Sequence, residues 1–325
     1  MSTHEGLVAG SRRRRSALAS VRHVVGSPIF LIVALIAVSV AAEPILLGER
    51  AIRNVLVGAS PLLLVAAAQA TVILTKGIDL SVGSTMSLAN VVAAALMEVY
   101  PDMVVPIILL TLVSGCTVGL VNGWLVAYVG LNPFIITLAV AMAVQGLTLE
   151  ILYQPGGLVT PGFAQIARAA LGAIPYSAIA ILLLYLLLAV VLRRTHYGVS
   201  LYAVGGNEAG ARISGVPTAC YKLRVYVFSG LMAAFAGLLL ASRMSSGDPL
   251  VGDAYTLDSI TAAVLGGTSL AGGSISLAGT FVASVLLSVL NSFLNLQGVS
   301  PFYQWIVKGL ILIGALCLDF IRKRR

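Results

Sequence analysis

The residues of this chain that could do chemistry are few, and most of them interrupt long apolar runs. Gln69, Asn90, Asn122, Gln145, Glu150, Asn291 and Lys308 each stand inside such a run, and Asp79 and Ser81 lie between two of them. A polar group is costly against lipid, so each is expected to face the interior of a helical bundle. There the amides either bond helix to helix or line a path for a polar, uncharged solute. The candidate path residues are therefore Gln69, Asp79, Ser81, Asn90, Asn122, Gln145 and Asn291. Catalytic signatures are missing. None of the four lysines follows a glycine, which excludes a Walker-type phosphate loop, and Gly-x-Ser-x-Gly, His-Glu-x-x-His and Cys-x-x-Cys are absent. The three histidines sit apart in basic flanks and the three cysteines are far apart, so neither set has metal-ligand spacing. Energised work would have to be supplied by another subunit.

The elements that position these residues follow from composition. With 59% hydrophobic and 10% charged residues and a mean hydropathy of +1.01, the chain is far from the roughly 25% charge of a soluble domain. It reads as an all-α integral membrane protein of about ten transmembrane helices at roughly 20 residues each. The expected spans are 28–47, 54–75, 84–99, 104–127, 133–153, 176–192, 221–241, 256–270, 275–293 and 303–319. A basic tail (1–27) precedes the membrane portion (28–320), and a second basic tail (321–325) follows it. With both termini inside, fifteen of the twenty Lys and Arg fall in cytoplasmic segments, a strong positive-inside bias. Membrane flanks thus account for the net charge of +8, and nucleic acid is not an expected partner. Gly115, Gly119 and Gly123 recur every fourth residue and predict one close helix crossing.

The longest polar interruption is Arg193–Arg224, between spans six and seven, with five cations and a single acid, Glu208. Its centre carries helix start and stop signals: Asn207 as N-cap, Glu208 in the first turn, Gly215 after the last turn, then Pro217. Gly210 costs about 1 kcal/mol of helix propensity, so something else must hold this short helix in place. Two glycine-rich turns flank other spans. In Thr75–Ser84 (TKGIDLSVGS), Gly77 and Gly83 suit a tight turn, and Asp79 or Ser81 can cap the following helix. The stretch is either a surface cap or a broken helix beside a transport path. Gly266–Ser274 (GGTSLAGGS) looks similar and forms with it a weak internal repeat.

GIDLSVGS at 77–84, YAVGGNEAGARISGV at 202–216 and YTLDSITAAVLGGTSLAGGS at 255–274 resemble the ribose-type permeases of ATP-binding-cassette (ABC) importers, in the branched-chain amino acid and sugar permease superfamily. The resemblance runs from about residue 50 to 320. It implies a ten-helix sugar permease of the bacterial inner membrane, paired with a second permease copy or paralogue. Cytoplasmic ATPase subunits would bind below and an external solute-binding protein above. ATP and Mg would sit on the ATPase and no cofactor on this chain, which would not itself be an enzyme. The family's ATPase-coupling segment falls on Asn207, Glu208, Ala209, Gly210, Ala211, Arg212, Ile213, Ser214 and Gly215. Lys76 stands where the family usually has glycine, Gly210 where alanine is common, and Ser276 where glycine often follows the second turn. The rival reading is an ion-coupled secondary transporter, for which only Asp79, Glu150 and Asp258 offer membrane acids.

Overall fold

Runs of apolar residues long enough to span hydrocarbon become helices, because there every backbone polar group must be satisfied within the segment. The structure, a computed structural model, describes residues 48–323, and the tail 1–27, the expected span 28–47 and the last two residues lie outside them. In order come α1 (Glu49–Leu74), α2 (Val82–Val99), α3 (Val104–Ala127), α4 (Pro133–Ile151) and a single turn, α5 (Pro161–Ala164). A two-strand hairpin, β1 (Ala170–Leu171) and β2 (Ile174–Pro175), precedes α6 (Tyr176–Arg194), α7 (His196–Gly206) and α8 (Glu208–Ile213). Then follow α9 (Thr218–Met244), α10 (Asp253–Leu265), α11 (Leu277–Leu296) and α12 (Pro301–Lys323). The class is all-α, as the sequence implies. Among the described residues, α1, α2, α3, α4, α6, α9 and α11 are long and apolar enough to cross a membrane, and they coincide with expected spans. The basic C-terminal stretch begins inside α12 rather than after it.

Helices α1, α2 and α9 are buried on nearly all sides and form the centre, whereas α4 and α6 bury few of their residues and lie at the rim. The glycine stripe of α3 packs antiparallel on α9. A Cβ on Gly115 would lie 2.5 Å from the Gly230 carbonyl oxygen, one on Gly119 would fall on the Tyr226 carbonyl, and one on Gly123 would press on Leu223. Backbone meets backbone along this seam, which is the approach predicted from the four-residue spacing.

The expected span 256–270 requires a correction. Its helix, α10, has 13 residues, about 20 Å of rise against about 30 Å of hydrocarbon. The rest of the crossing is a re-entrant strap, 245–252. Asp248 N donates to Asn90 Oδ1 at 2.6 Å and Gly252 N to Ser87 Oγ at 2.9 Å. Ser87 lies twelve residues before the end of α2, about 18 Å along that helix. The strap therefore descends about half the membrane before α10 begins. Glycine at both Gly83 and Gly252 lets the strap lie directly on α2.

The first glycine turn also differs from expectation. Neither Gly77 nor Gly83 has a positive φ; the left-handed residue is Lys76, at φ 63°. Gly77 instead makes room for Tyr226, whose hydroxyl would lie 2.5 Å from an added Cβ. Glycine is thus the residue the backbone favours at position 76. A left-handed non-glycine residue costs roughly 1–2 kcal/mol, while glycine costs about 0.5–1 kcal/mol in chain entropy. Lys76→Gly is expected to raise stability by about 0.5–1 kcal/mol, read as the thermal midpoint in detergent; a fall would mean that the Lys76 bond to the Gly206 carbonyl outweighs the strain.

Candidate functional site

The segment Asn207–Gly215 is a knob that its own chain holds in place. Asn207 caps α8, its Oδ1 accepting from Gly210 N at 3.0 Å. A Cβ at 210 would come within 3.0 Å of that cap side chain, which gives glycine there a local reason. At the other end Val216 N donates to the Ala211 carbonyl and Gly215 N to the Arg212 carbonyl, each at 3.0 Å, with Gly215 at φ 82°. That is a Schellman stop. Glu208 pairs with Arg212 one turn on, at 3.4 Å, but its shorter partner is Lys222 of α9, at 2.5 Å. Burial opposes ionisation of Glu208, yet the hydrogen bond and charge of Lys222, with Arg212 beside it, win and hold the carboxyl below its usual range. The pair contributes above the ordinary glutamate pKa and is lost as pH falls through the lowered one. Ala211 is buried beneath the helix, and Ile213 projects with 89% of its surface exposed.

Behind α8 stands α7, a helix that sequence reasoning missed within the polar interruption. Thr195 caps α7 by accepting from Gly198 N. Leu201 packs with Val72, Leu74 and Tyr226, Val204 is buried, and Tyr197 stacks on Tyr221 at 5.2 Å. The C-terminus of α7 is wedged into a glycine junction. A Cβ on Gly205 would fall on the Leu74 carbonyl oxygen, and one on Gly273 would lie 2.9 Å from Gly206 Cα. Gly273 N donates to that same Leu74 carbonyl at 2.9 Å. The end of α1, the second glycine turn and the root of the knob thus meet at one point.

The first glycine turn is a polar knot at the other side of α1. Asp79 is not the helix cap that its place in the sequence suggests: α2 begins after Ser81, whose side chain makes no capping bond. Asp79 Oδ1 accepts from Ser81 N at 3.0 Å and from Ser81 Oγ at 2.7 Å, while Oδ2 accepts from Ser229 Oγ of α9 at 2.7 Å. Asn122 of α3 donates to Ser81 Oγ at 2.7 Å. Thr137 Oγ1 of α4 accepts from Leu80 N, and it lies 2.8 Å from the Pro133 carbonyl of its own helix and 3.2 Å from the Ile78 carbonyl, sharing one hydrogen between them. Backbone groups of the buried turn are thereby held by Thr137 and by the turn's own Asp79, and side chains of α3, α4 and α9 close the knot.

Of the seven path candidates, the structure brings together Asp79, Ser81 and Asn122. Asn90 and Gln145 instead hold the re-entrant strap, Asn90 through Asp248 N and Gln145 through the Pro249 carbonyl at 2.8 Å. Gln69 is fully buried in α1 with neither amide atom partnered among the described residues, and Asn291 stands apart on α11. Sequence reasoning missed Ser229, Thr137 and Tyr226, since a lone hydroxyl in an apolar span usually bonds its own helix.

The chain matches the family described as branched-chain amino acid transport system / permease component over residues 51–316, from α1 into α12 and including all of these residues. It belongs to that family. The ribose import permease protein RbsC of Bacillus subtilis (strain 168) is 40% identical to it over 261 residues, 79% of this chain and 80% of that protein. RbsC of Escherichia coli (strain K12) is 38% identical over 274 residues, 82% and 84% of the two chains. The galactose/methyl galactoside import permease protein MglC of the same strain is 34% identical over 319 residues, 91% of this chain and 94% of that one. No solved structure gives a comparable match.

Proposed function

We propose that this chain is the transmembrane permease of an ABC importer carrying a monosaccharide into a bacterial cell across the inner membrane. Family membership supports the permease role, and the ribose and galactose import named for its relatives supports a small sugar. The observation that carries the coupling role is α8, a knob capped at both ends, tied to α9 through Lys222, and presenting Ile213 to solvent. A soluble ATPase with an apolar cleft fits such a knob. ATP and Mg bind on that ATPase, a second permease copy or paralogue completes the pathway, and an external binding protein delivers the sugar. Closure of the ATPases pushes on Ile213, α7 and α8 move as one lever, and the glycine junction passes the displacement to α1 and the second turn. The cavity between permeases then opens alternately outward and inward.

Glu208→Ala also cuts the tie to Lys222, so the cleaner test is Ile213→Asp. An exposed side chain off any internal contact changes folding by only about 0.5 kcal/mol, whereas a charge placed in a buried interface anchor costs about 2 kcal/mol or more. Ile213→Asp is expected to leave the permease folded and to reduce ATPase co-purification by about tenfold or more, with Arg212→Ala milder. ATP turnover is expected only with the ATPase present. Normal assembly and coupled uptake in Ile213→Asp would leave α8 as a mere connector, and hydrolysis by the pure permease would overturn the assignment.

A further inference from the structure

Between α10 and α12 lies a cavity of about 220 Å³ lined by Asp253, Leu257, Asp258, Thr261, Trp305 and Lys308. None of the path residues chosen from the sequence is there. Its floor is the start of α10, the half-span helix that begins about midway through the membrane after the strap. Discontinuous helices of this kind expose their N-terminal ends at the bilayer midplane, where transported solutes bind. A helix end alone would mean little, but three further features converge on it.

The first is an ion pair at membrane depth: Lys308 Nζ donates to Asp258 Oδ2 at 2.7 Å, with 13% and 8% of the two side chains exposed. The second is Asp253, exposed at the mouth, whose carboxylate makes no hydrogen bond or ion pair among the described residues. The third is Trp305, with 58% of its surface exposed at the molecule's edge. Charged side chains in membrane helices face water or other protein, not lipid. An edge bearing this pair and a free carboxylate is therefore bordered by an aqueous path or the facing permease, although Leu257, Ile306 and Leu310 around it are apolar and exposed.

We propose that this cavity is a solute-binding subsite of the translocation path, taking one face of a monosaccharide. The proposal rests on the sugar-permease reading above. The indole offers a flat apolar surface to the C–H face of a sugar ring. The carboxylates of Asp253 and Asp258 accept hydrogen bonds from ring hydroxyls, and the Lys308 ammonium donates to a hydroxyl oxygen. A paired acid and base suit a neutral polyol, because an ionic solute would meet a like charge in the pair. At about 220 Å³ the cavity is smaller than the roughly 300–1,000 Å³ of complete small-molecule sites, so it grips part of the ring, in keeping with a site a solute must also leave.

The test uses the assembled importer, with ATPase and binding protein, in proteoliposomes, and radiolabelled D-ribose and D-galactose as probes at saturating concentration. Trp305→Ala and Asp253→Asn alter side chains exposed at the cavity mouth, so both should assemble as the wild type does on size exclusion. Uptake per assembled complex should fall about tenfold in Trp305→Ala and several-fold in Asp253→Asn, the ratio of ribose to galactose uptake should change, and Trp305→Phe should recover most of the rate. Wild-type uptake and selectivity in Trp305→Ala and Asp253→Asn would overturn the subsite while leaving the sugar-permease reading intact. Loss of assembly in Trp305→Ala would also overturn it, marking the edge as an inter-subunit contact. A wild-type importer that carries neither sugar would instead overturn the sugar reading, and the subsite with it.

Discussion

Asp79→Ala is expected to destabilise the permease by about 3 kcal/mol or more, and Asp79→Asn by less than about 1 kcal/mol. The reason is the number of groups the carboxylate serves. Four donors converge on it, Ser81 N, Ser81 Oγ and Ser229 Oγ and, at 3.5 Å, Asn122 Nδ2, all buried. A hydrogen bond between membrane helices is itself worth only about 0.6 kcal/mol. Leaving buried donors without an acceptor costs more, about 1–3 kcal/mol for each donor. Asparagine keeps Oδ1 for both Ser81 donors, and its Nδ2 can donate to Ser229 Oγ once that hydroxyl turns to accept. A capping role would also make asparagine mild, so the discriminating variant is Ser229→Ala. Ser229 is 150 residues away on α9, where a cap would not feel it. Thermal midpoints in detergent for Asp79→Ala, Ser229→Ala and the double variant should be strongly non-additive, since both changes break the same bond. Additive losses would show that Asp79 acts locally and that the knot does not join α2 to α9.

Seven of the spans were legible because a single strong rule governs them: an apolar run of membrane length has no option but helix. The short helix α8 was legible because Asn207, Gly215 and Pro217 bracket it closely in the chain, and the structure uses the first two as cap and stop. What escaped the sequence is non-local. Asp79 sits beside Ser81 in the chain, which invites a capping role, but Ser229 and Asn122 arrive from distant helices and decide its bonding. The strap 245–252 escaped because its depth is set by Asn90 and Ser87, not by its own composition. The hairpin of β1 and β2 escaped because two-residue strands are too short to show alternation. Gly205 and Gly206 read alike in sequence, adjacent glycines before a cap, and the structure gives them opposite roles.

That difference supports the second large prediction. Gly205→Ala is expected to lower stability by about 1–3 kcal/mol, as overpacking does, and to uncouple transport. Gly206→Ala is expected to be neutral. An added Cβ at 205 would fall on the Leu74 carbonyl oxygen, whereas one at 206 meets nothing within 4 Å. Real Cβ atoms do not approach below 3.0 Å, so the end of α7 must move away from α1 by about 1 Å. The opposing atom is backbone, and that carbonyl also accepts from Gly273 N, so it cannot turn aside without releasing the second glycine turn. The knob α8 follows α7 after one residue, Asn207, and would shift with it while keeping Ile213 and its own caps. The ATPase should therefore still dock and still hydrolyse ATP, while the push no longer reaches α1 and the turn at Gly272–Gly273. Coupling carried by such a packed junction is worth about 0.5–2 kcal/mol, or up to about 30-fold. In proteoliposomes of the assembled importer, Gly205→Ala should lose sugar uptake by up to that factor at near wild-type hydrolysis, with Gly206→Ala as the matched control. Equal uptake and equal thermal midpoints in the two variants would show that α7 and α1 are not in contact in the working transporter, and the lever would have to run through Lys222 and α9 instead.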